Sequence, residues 1–139
     1  MEYVFKTDST KRYRFPTHVN ELVMDRSDAV CSEVFIVVLK PGEAPPLHVH
    51  DDTEQVYYML EGKGTLYIGE KKEAFPVAPG NVVRIPPSTP HSIKAEKETI
   101  RYLAVDCFTS ETGKLESTWD EHVHAVCKQQ GWEYNEVIE

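Results

Sequence analysis

Residues 42–50 read Gly42-Glu43-Ala44-Pro45-Pro46-Leu47-His48-Val49-His50, a glycine, a proline pair and two histidines with one valine between them. Along an extended strand, residues i and i+2 share a face. A strand over Pro46–His50 would therefore set both imidazoles on one side, with Cα atoms roughly 6.5–7 Å apart. Two ring nitrogens at that spacing can converge on one metal ion at about 2.0–2.1 Å each. A lone His-x-His is a weak signal. Here Glu54-Gln55 follows it, then Tyr58-Met59-Leu60-Glu61-Gly62, and later His91 behind Pro86-Pro87-Ser88-Thr89-Pro90.

The surroundings of this stretch are punctuated at short intervals. Eight of nine prolines and five of seven glycines fall between Pro41 and Pro90, and between them lie short runs rich in Val, Ile, Tyr and Phe. Strands of about five residues with turn signals every 8–12 residues mark an antiparallel sandwich or barrel. The pattern predicts strands at Ser32–Lys40, Pro46–His50, Gln55–Leu60, Thr65–Ile68, Glu73–Val77, Val82–Ile85, His91–Ala95 and Ile100–Asp106. Residues 1–30 show no clean period and read as an extended arm with at most one strand. Thr118-Trp119-Asp120-Glu121 is a capping box. Trp119, Val123, Val126 and Cys127 then form an apolar stripe, and Gly131 supplies a stop. The spacing predicts one amphipathic helix over 119–130, lying outside the barrel with that stripe against it.

Two motifs in this order resemble those of the cupin superfamily. The first runs from Gly42 through His48 and His50 to Gly62; the second runs through Gly80, Pro86 and His91. The resemblance covers roughly residues 30–106. It implies an all-β fold, a cupin-type jelly-roll β-barrel, here with an N-terminal arm and one C-terminal helix, in a single domain over residues 1–139. It also implies a mononuclear metal site in which His48, His50 and His91 are ligands. The chain departs from the family pattern at Ser88, where a glycine is usual, and at Ala95, where an asparagine is usual.

The fourth ligand is ambiguous by one residue. The family places a glutamate before the glycine with six residues between them, and counting back from Gly62 on that spacing reaches Gln55. The adjacent Glu54 carries the better anionic oxygen for a divalent cation. A one-residue slip reverses the face of a strand, so Gln55 inward brings Tyr57 and Met59 with it, whereas Glu54 inward brings Val56, Tyr58 and Leu60. The motif spacing favours Gln55, binding through its carbonyl oxygen with the amide nitrogen held by a neighbouring acceptor.

Three imidazoles and a neutral amide would leave the +2 charge of the ion uncompensated, making it a strong Lewis acid for anionic substrate oxygens. Imidazole ligands suit Fe, Ni, Cu, Co, Zn or Mn, with iron the first expectation. The reading that follows is an enzyme acting on a small organic molecule, foremost an oxidoreductase of dioxygenase type. The alternatives are a metal-dependent isomerase or lyase of a sugar or carboxylate, and a non-catalytic binder of small molecules. Candidate catalytic residues are Glu54 as a base, Arg84 as a carboxylate clamp and Tyr57 in the cavity wall; Arg101 is a second clamp.

Composition narrows the partners. Fifteen Lys and Arg against 23 Asp and Glu give a net charge of −8, which repels nucleic acid and anionic membranes. The longest apolar run, Val34 to Leu39, is far too short for a membrane span. The first residues have no apolar signal segment, and three cysteines without a CxxC pair read as reduced, buried thiols, so a cytoplasmic protein is expected. His18, His122 and His124 read as surface residues. Tyr3, Val4, Phe5, Tyr13 and Phe15 in the arm suggest a partner surface, and so a homodimer.

Overall fold

The computed structural model describes residues 1–109 and 116–139. The chain folds into nine strands, β1 (Lys11–Phe15), β2 (His18–Met24), β3 (Ser32–Leu39), β4 (Thr53–Glu61), β5 (Gly64–Ile68), β6 (Glu73–Val77), β7 (Val82–Ile85), β8 (His91–Ala95) and β9 (Ile100–Phe108), followed by two helices, α1 (Trp119–Gln130) and α2 (Tyr134–Val137). All strand pairs are antiparallel. A six-stranded sheet has the order β1-β2-β3-β9-β4-β7, and a three-stranded sheet has the order β6-β5-β8. This is the jelly-roll arrangement. Its core is filled by the period-two inner face of each strand: Phe35, Val37 and Leu39 from β3, Tyr57 and Met59 from β4, and Ile100, Tyr102 and Ala104 from β9.

Two elements differ from the sequence expectation. Pro46–His50 is not a strand; its one ladder contact is an isolated bridge between His48 and His91. Pro45 and Pro46 have no N–H to donate, so a ladder cannot run through them. The N-terminal arm is instead a hairpin built into the large sheet, with Phe15 opposite His18 at the turn. Tyr13 and Phe15 point into the core and are almost fully buried. A register shift between Leu22 and Met24 breaks the alternation of β2 against β3, which is why no clean period showed there.

Helix α1 starts and stops where its caps dictate. The Glu121 N–H donates to Thr118 Oγ1 at 3.1 Å, and the Glu121 carboxylate reaches one residue further back than a capping box requires, accepting from the Ser117 N–H. Gly131 closes the helix at φ +75°. The helix packs its apolar stripe against the strands, as the sequence predicts. The Trp119 ring lies 4.8 Å from Phe35 and 6.2 Å from Tyr13, and Val123 and Cys127 are buried with it. With only three strands in the second sheet, α1 covers the β1-β3 side of the larger one. Cys127 is buried as expected, whereas Cys107 is half-buried and Cys31 is exposed. Among the described residues no helix is long and apolar enough to cross a membrane.

Candidate metal centre

Three histidines converge where the β3–β4 connection meets β8. The candidate ligand nitrogens of His48, His50 and His91 all lie within 4.8 Å of one another. Ring centroids are 4.2 Å apart for His48 and His91, 5.0 Å for His48 and His50, and 5.8 Å for His50 and His91. The backbone bridge sets this geometry: His48 N–H donates to the His91 carbonyl and His91 N–H to the His48 carbonyl. The proline-rich turn ahead of His91 is held by Ser88, whose N–H donates to the His50 carbonyl. Ser88 sits at φ +60°, the left-handed backbone for which the family's usual glycine is suited.

The ring tautomers follow from neighbouring carbonyls. His48 Nδ1 lies 2.7 Å from the Pro46 carbonyl oxygen, and His91 Nδ1 lies 2.8 Å from that of Thr89. A carbonyl only accepts, so both Nδ1 atoms carry the proton and both Nε2 atoms present lone pairs. Burial, reinforced by the neighbouring rings, pushes His50 down to about 3 and His91 to about 4; burial also lowers His48. The cluster is therefore neutral at pH 7.

Gln55 lies against the histidine cluster and Glu54 does not. Gln55 is buried on the inner face of β4, in the register row Glu33–Asp106–Gln55–Ile85 that crosses β3, β9, β4 and β7. Its Oε1 lies 2.7 Å from His91 Nε2 and accepts from the Tyr57 hydroxyl at 2.6 Å. Its Nε2 donates to Asp106 Oδ1 at 2.6 Å. With Nδ1 protonated and the ring neutral, His91 Nε2 and Gln55 Oε1 are two acceptors facing each other. Such a contact is relieved by a cation bound to both atoms, at about 2.0–2.1 Å from each, or by turning the amide over so that Nε2 donates to His91. The donor set fits a transition metal on that observation.

Glu54 and Arg84 are turned to the opposite face. Arg84 Nη1 lies 3.7 Å from Glu54 Oε2, and Arg84 is 68% exposed. Period-two alternation allows Gln55 and Tyr57 to face the histidines only if Glu54 faces away, so this pair lies on the outer face of the sheet. Arg101 is likewise engaged, with Glu21 and Glu61. Tyr57 does line the site, its ring 4.7 Å from Tyr102, and burial holds its hydroxyl well above the usual tyrosine range.

Two groups near the histidine cluster are not evident from the sequence. Behind Gln55 lie Asp106, Glu33 and Arg26, all buried. Arg26 forks Glu33, with Nε to Oε1 at 2.7 Å and Nη2 to Oε2 at 2.9 Å. Burial first, and then the neighbouring Glu33 carboxylate, raises Asp106 well above the carboxylate range. The second is His122 on α1, for which the sequence predicts a surface position. It is half-buried, 5.7 Å from the Trp119 ring, with Nδ1 at 3.1 Å from Glu116 Oε1. Burial lowers its pKa, and its charge would be felt by His48 and His50. His18 also departs from the expectation: it stacks on Phe15 at 4.7 Å, and burial lowers it to about 3. His124 is exposed and stacks on Tyr134.

With fold and site in view, comparison with known proteins gives the class. Residues 35–106 match the cupin domain family, and the chain belongs to it. Quercetin 2,3-dioxygenase of Bacillus subtilis is 30% identical over 105 residues, which is 75% of this chain and 31% of that protein. The structure resembles a predicted oxalate decarboxylase of Thermotoga maritima with a TM-score of 0.69 at 19% identity, over 76% of this chain and 99% of that one. It resembles the polyketide cyclase RemF of Streptomyces resistomycificus with a TM-score of 0.67 at 24% identity, over 77% and 80%. These structural likenesses establish the shared fold. The chain spans less than half the length of the curated relatives it matches.

Proposed function

We propose that this cupin holds one divalent transition metal through His48, His50, His91 and Gln55, iron foremost, and acts as an enzyme of dioxygenase type on a small organic molecule. The observation that carries the reading is the facing pair of acceptors, His91 Nε2 and Gln55 Oε1, within a cluster of neutral imidazoles. A bound ion would supply Lewis acidity undiminished by any anionic ligand, and with it an attraction for an enolate, alkoxide or carboxylate oxygen of the substrate. Buried Tyr57 supports that use: it places its hydroxyl on the Gln55 oxygen, and its ring packs on buried Tyr102. The likeness to quercetin 2,3-dioxygenase supports an aromatic or enolic substrate.

The test is oxygen uptake by the iron-loaded protein with flavonols, catechols and diketones. Uptake that is lost in His91→Ala supports the reading, and no uptake with any of them contradicts it. One feature favours a second reading, a metal-dependent isomerase or lyase. His122, backed by Glu116, has the make-up of a general base beside the histidine cluster, and proton transfer needs no oxygen. Turnover without oxygen, lost in His122→Gln, would select it. Binding without turnover would leave a small-molecule binder.

The assembly we propose is a homodimer. Tyr13 and Phe15 belong to the chain's own core, so the surface for a partner is smaller than the arm's composition implied. Tyr3 and Val4 remain 83% and 75% exposed, and Tyr58 and Val82 stand side by side on the outer face of β4 and β7.

A further inference from the structure

We propose that Asn20 and Trp119 form a binding site for one hydroxyl oxygen between β2 and α1: Trp119 Nε1–H donates to that oxygen, and the oxygen donates to Asn20 Oδ1. The site shares no residue with the candidate metal ligands, so it stands or falls apart from them.

Two buried polar atoms carry the proposal. Asn20 is 8% exposed and Trp119 is 2% exposed, and among the described residues neither Asn20 Oδ1 nor Trp119 Nε1 has a hydrogen-bonding partner. A polar group shut away from water is costly unless something pairs with it. The two atoms are complementary, because an indole N–H only donates and an amide oxygen only accepts. One oxygen that both accepts and donates satisfies them together, and a hydroxyl is the smallest group that does so.

The fold brings the two residues to one place. Asn20 lies on the inner face of β2, opposite Tyr13 of β1 on one side and Val37 of β3 on the other. Leu22, the next inner-face residue of β2, stands opposite Phe35. The Trp119 ring packs on both flanks, 6.2 Å from Tyr13 and 4.8 Å from Phe35, so it crosses β2 at Asn20 and Leu22. Its backbone N–H donates to Asp25 Oδ1 at 3.0 Å, which holds the start of the helix there. The neighbours Phe35, Val37 and Val123 are apolar and buried. A buried water makes about three hydrogen bonds, whereas Asn20 and Trp119 offer two. A hydroxyl on an apolar carbon body needs no more than those two. The class that fits is therefore a small alcohol or phenol, with a water molecule as the other source of the same oxygen. The register row through Asn20, Val37, Tyr102 and Met59 is two inner-face rows away from that of Gln55, which sets the site apart from the metal centre.

The experiment is proton–nitrogen NMR of the full chain, titrated with phenol and, in parallel, with toluene. The chain has two tryptophans, hence two indole N–H signals, which Trp132→Phe assigns. Phenol should shift the Trp119 signal, and toluene, of similar shape without the hydroxyl, should bind about tenfold more weakly, the effect of one neutral hydrogen bond. Asn20→Leu, close in size, should cost phenol about the same factor and leave toluene unchanged. If phenol leaves the signal in place, a cross-peak between the Trp119 N–H and a long-lived water, lost in Asn20→Leu, supports the site with water as its occupant. Neither a phenol shift nor a water cross-peak would overturn the proposal, as would equal binding of phenol and toluene that Asn20→Leu does not alter. Should Asn20→Leu not fold, a crystal structure of the unaltered protein decides. An oxygen of water or of soaked phenol within about 3.2 Å of both atoms supports the site; a direct bond between Asn20 and Trp119, or a protein group seated between them, overturns it.

Discussion

Glu54 and Gln55 show how one position along a strand separates two chemistries. Gln55 is enclosed by Tyr57, His91 and Asp106, while Glu54 meets Arg84 at the surface. An exposed pair of this kind contributes about 0–1 kcal/mol to stability, so Glu54→Ala and Arg84→Ala should leave both folding and metal affinity near those of the unaltered protein. Calorimetry on Glu54→Ala checks this, and a large loss of affinity would put the register off by one. His18 allows a pH prediction. Its pKa is about 3 in the folded chain, burial being the main cause and the charge of His48 the second, against 6.5 for a free histidine. Above pH 6.5 neither folded nor unfolded chain protonates it, and it has no effect. As pH falls below 6.5 the unfolded chain takes up a proton that the folded chain refuses, so stability is lost progressively toward pH 3. His50 and His91 act in the same direction in the metal-free protein. The Tm of the metal-free protein should fall between pH 7 and pH 5, and His18→Phe should reduce that fall. Parallel Tm curves for the two proteins would contradict it.

Among the elements, the strand-rich centre was legible because turn residues and β-branched runs alternate there at short range. The helix was legible from a cap, a stripe and a stop glycine. The hairpin β1–β2 was hidden because Lys11, Arg12 and Arg14 dilute its alternation and a register shift interrupts β2. The histidines could be read from spacing alone. Glu33 and Asp106 could not, since each stands singly among apolar residues and their meeting depends on how β3 registers against β9. His122 could not because nothing local places the first turn of α1 near the cluster. Gly62, which ends the first motif, shows what such a position requires. It turns the chain from β4 to β5 at φ +79°, and a Cβ there would lie 2.1 Å from the Thr99 carbonyl oxygen. Backbone on both sides cannot yield cheaply. Gly62→Ala should destabilise by about 1–3 kcal/mol from the left-handed backbone alone, with the clash in addition, measured by urea unfolding. A loss under that range would mean that the turn relaxes.

At the scale of the whole molecule, the incomplete second sheet explains the C-terminal helices. The apolar face of β1, β2 and β3 would lie open without α1, and Trp119 fills that place against Phe35 and Tyr13. The proposed dimer is a claim about what the fold leaves uncovered. Light scattering at tens of micromolar should give twice the mass of one chain, 15.9 kDa, and Tyr58→Lys with Val82→Lys should shift it to a monomer if that face is the interface. A monomer in the unaltered protein would remove the assembly without touching the site. The central claim concerns the site. Anomalous diffraction at the metal edge, from crystals of metal-loaded protein, tests it most directly. The account predicts one peak per chain at about 2.0–2.2 Å from a nitrogen of each of His48, His50 and His91 and from Gln55 Oε1. A peak bound elsewhere, or one with Gln55 turned to present its nitrogen, would contradict it.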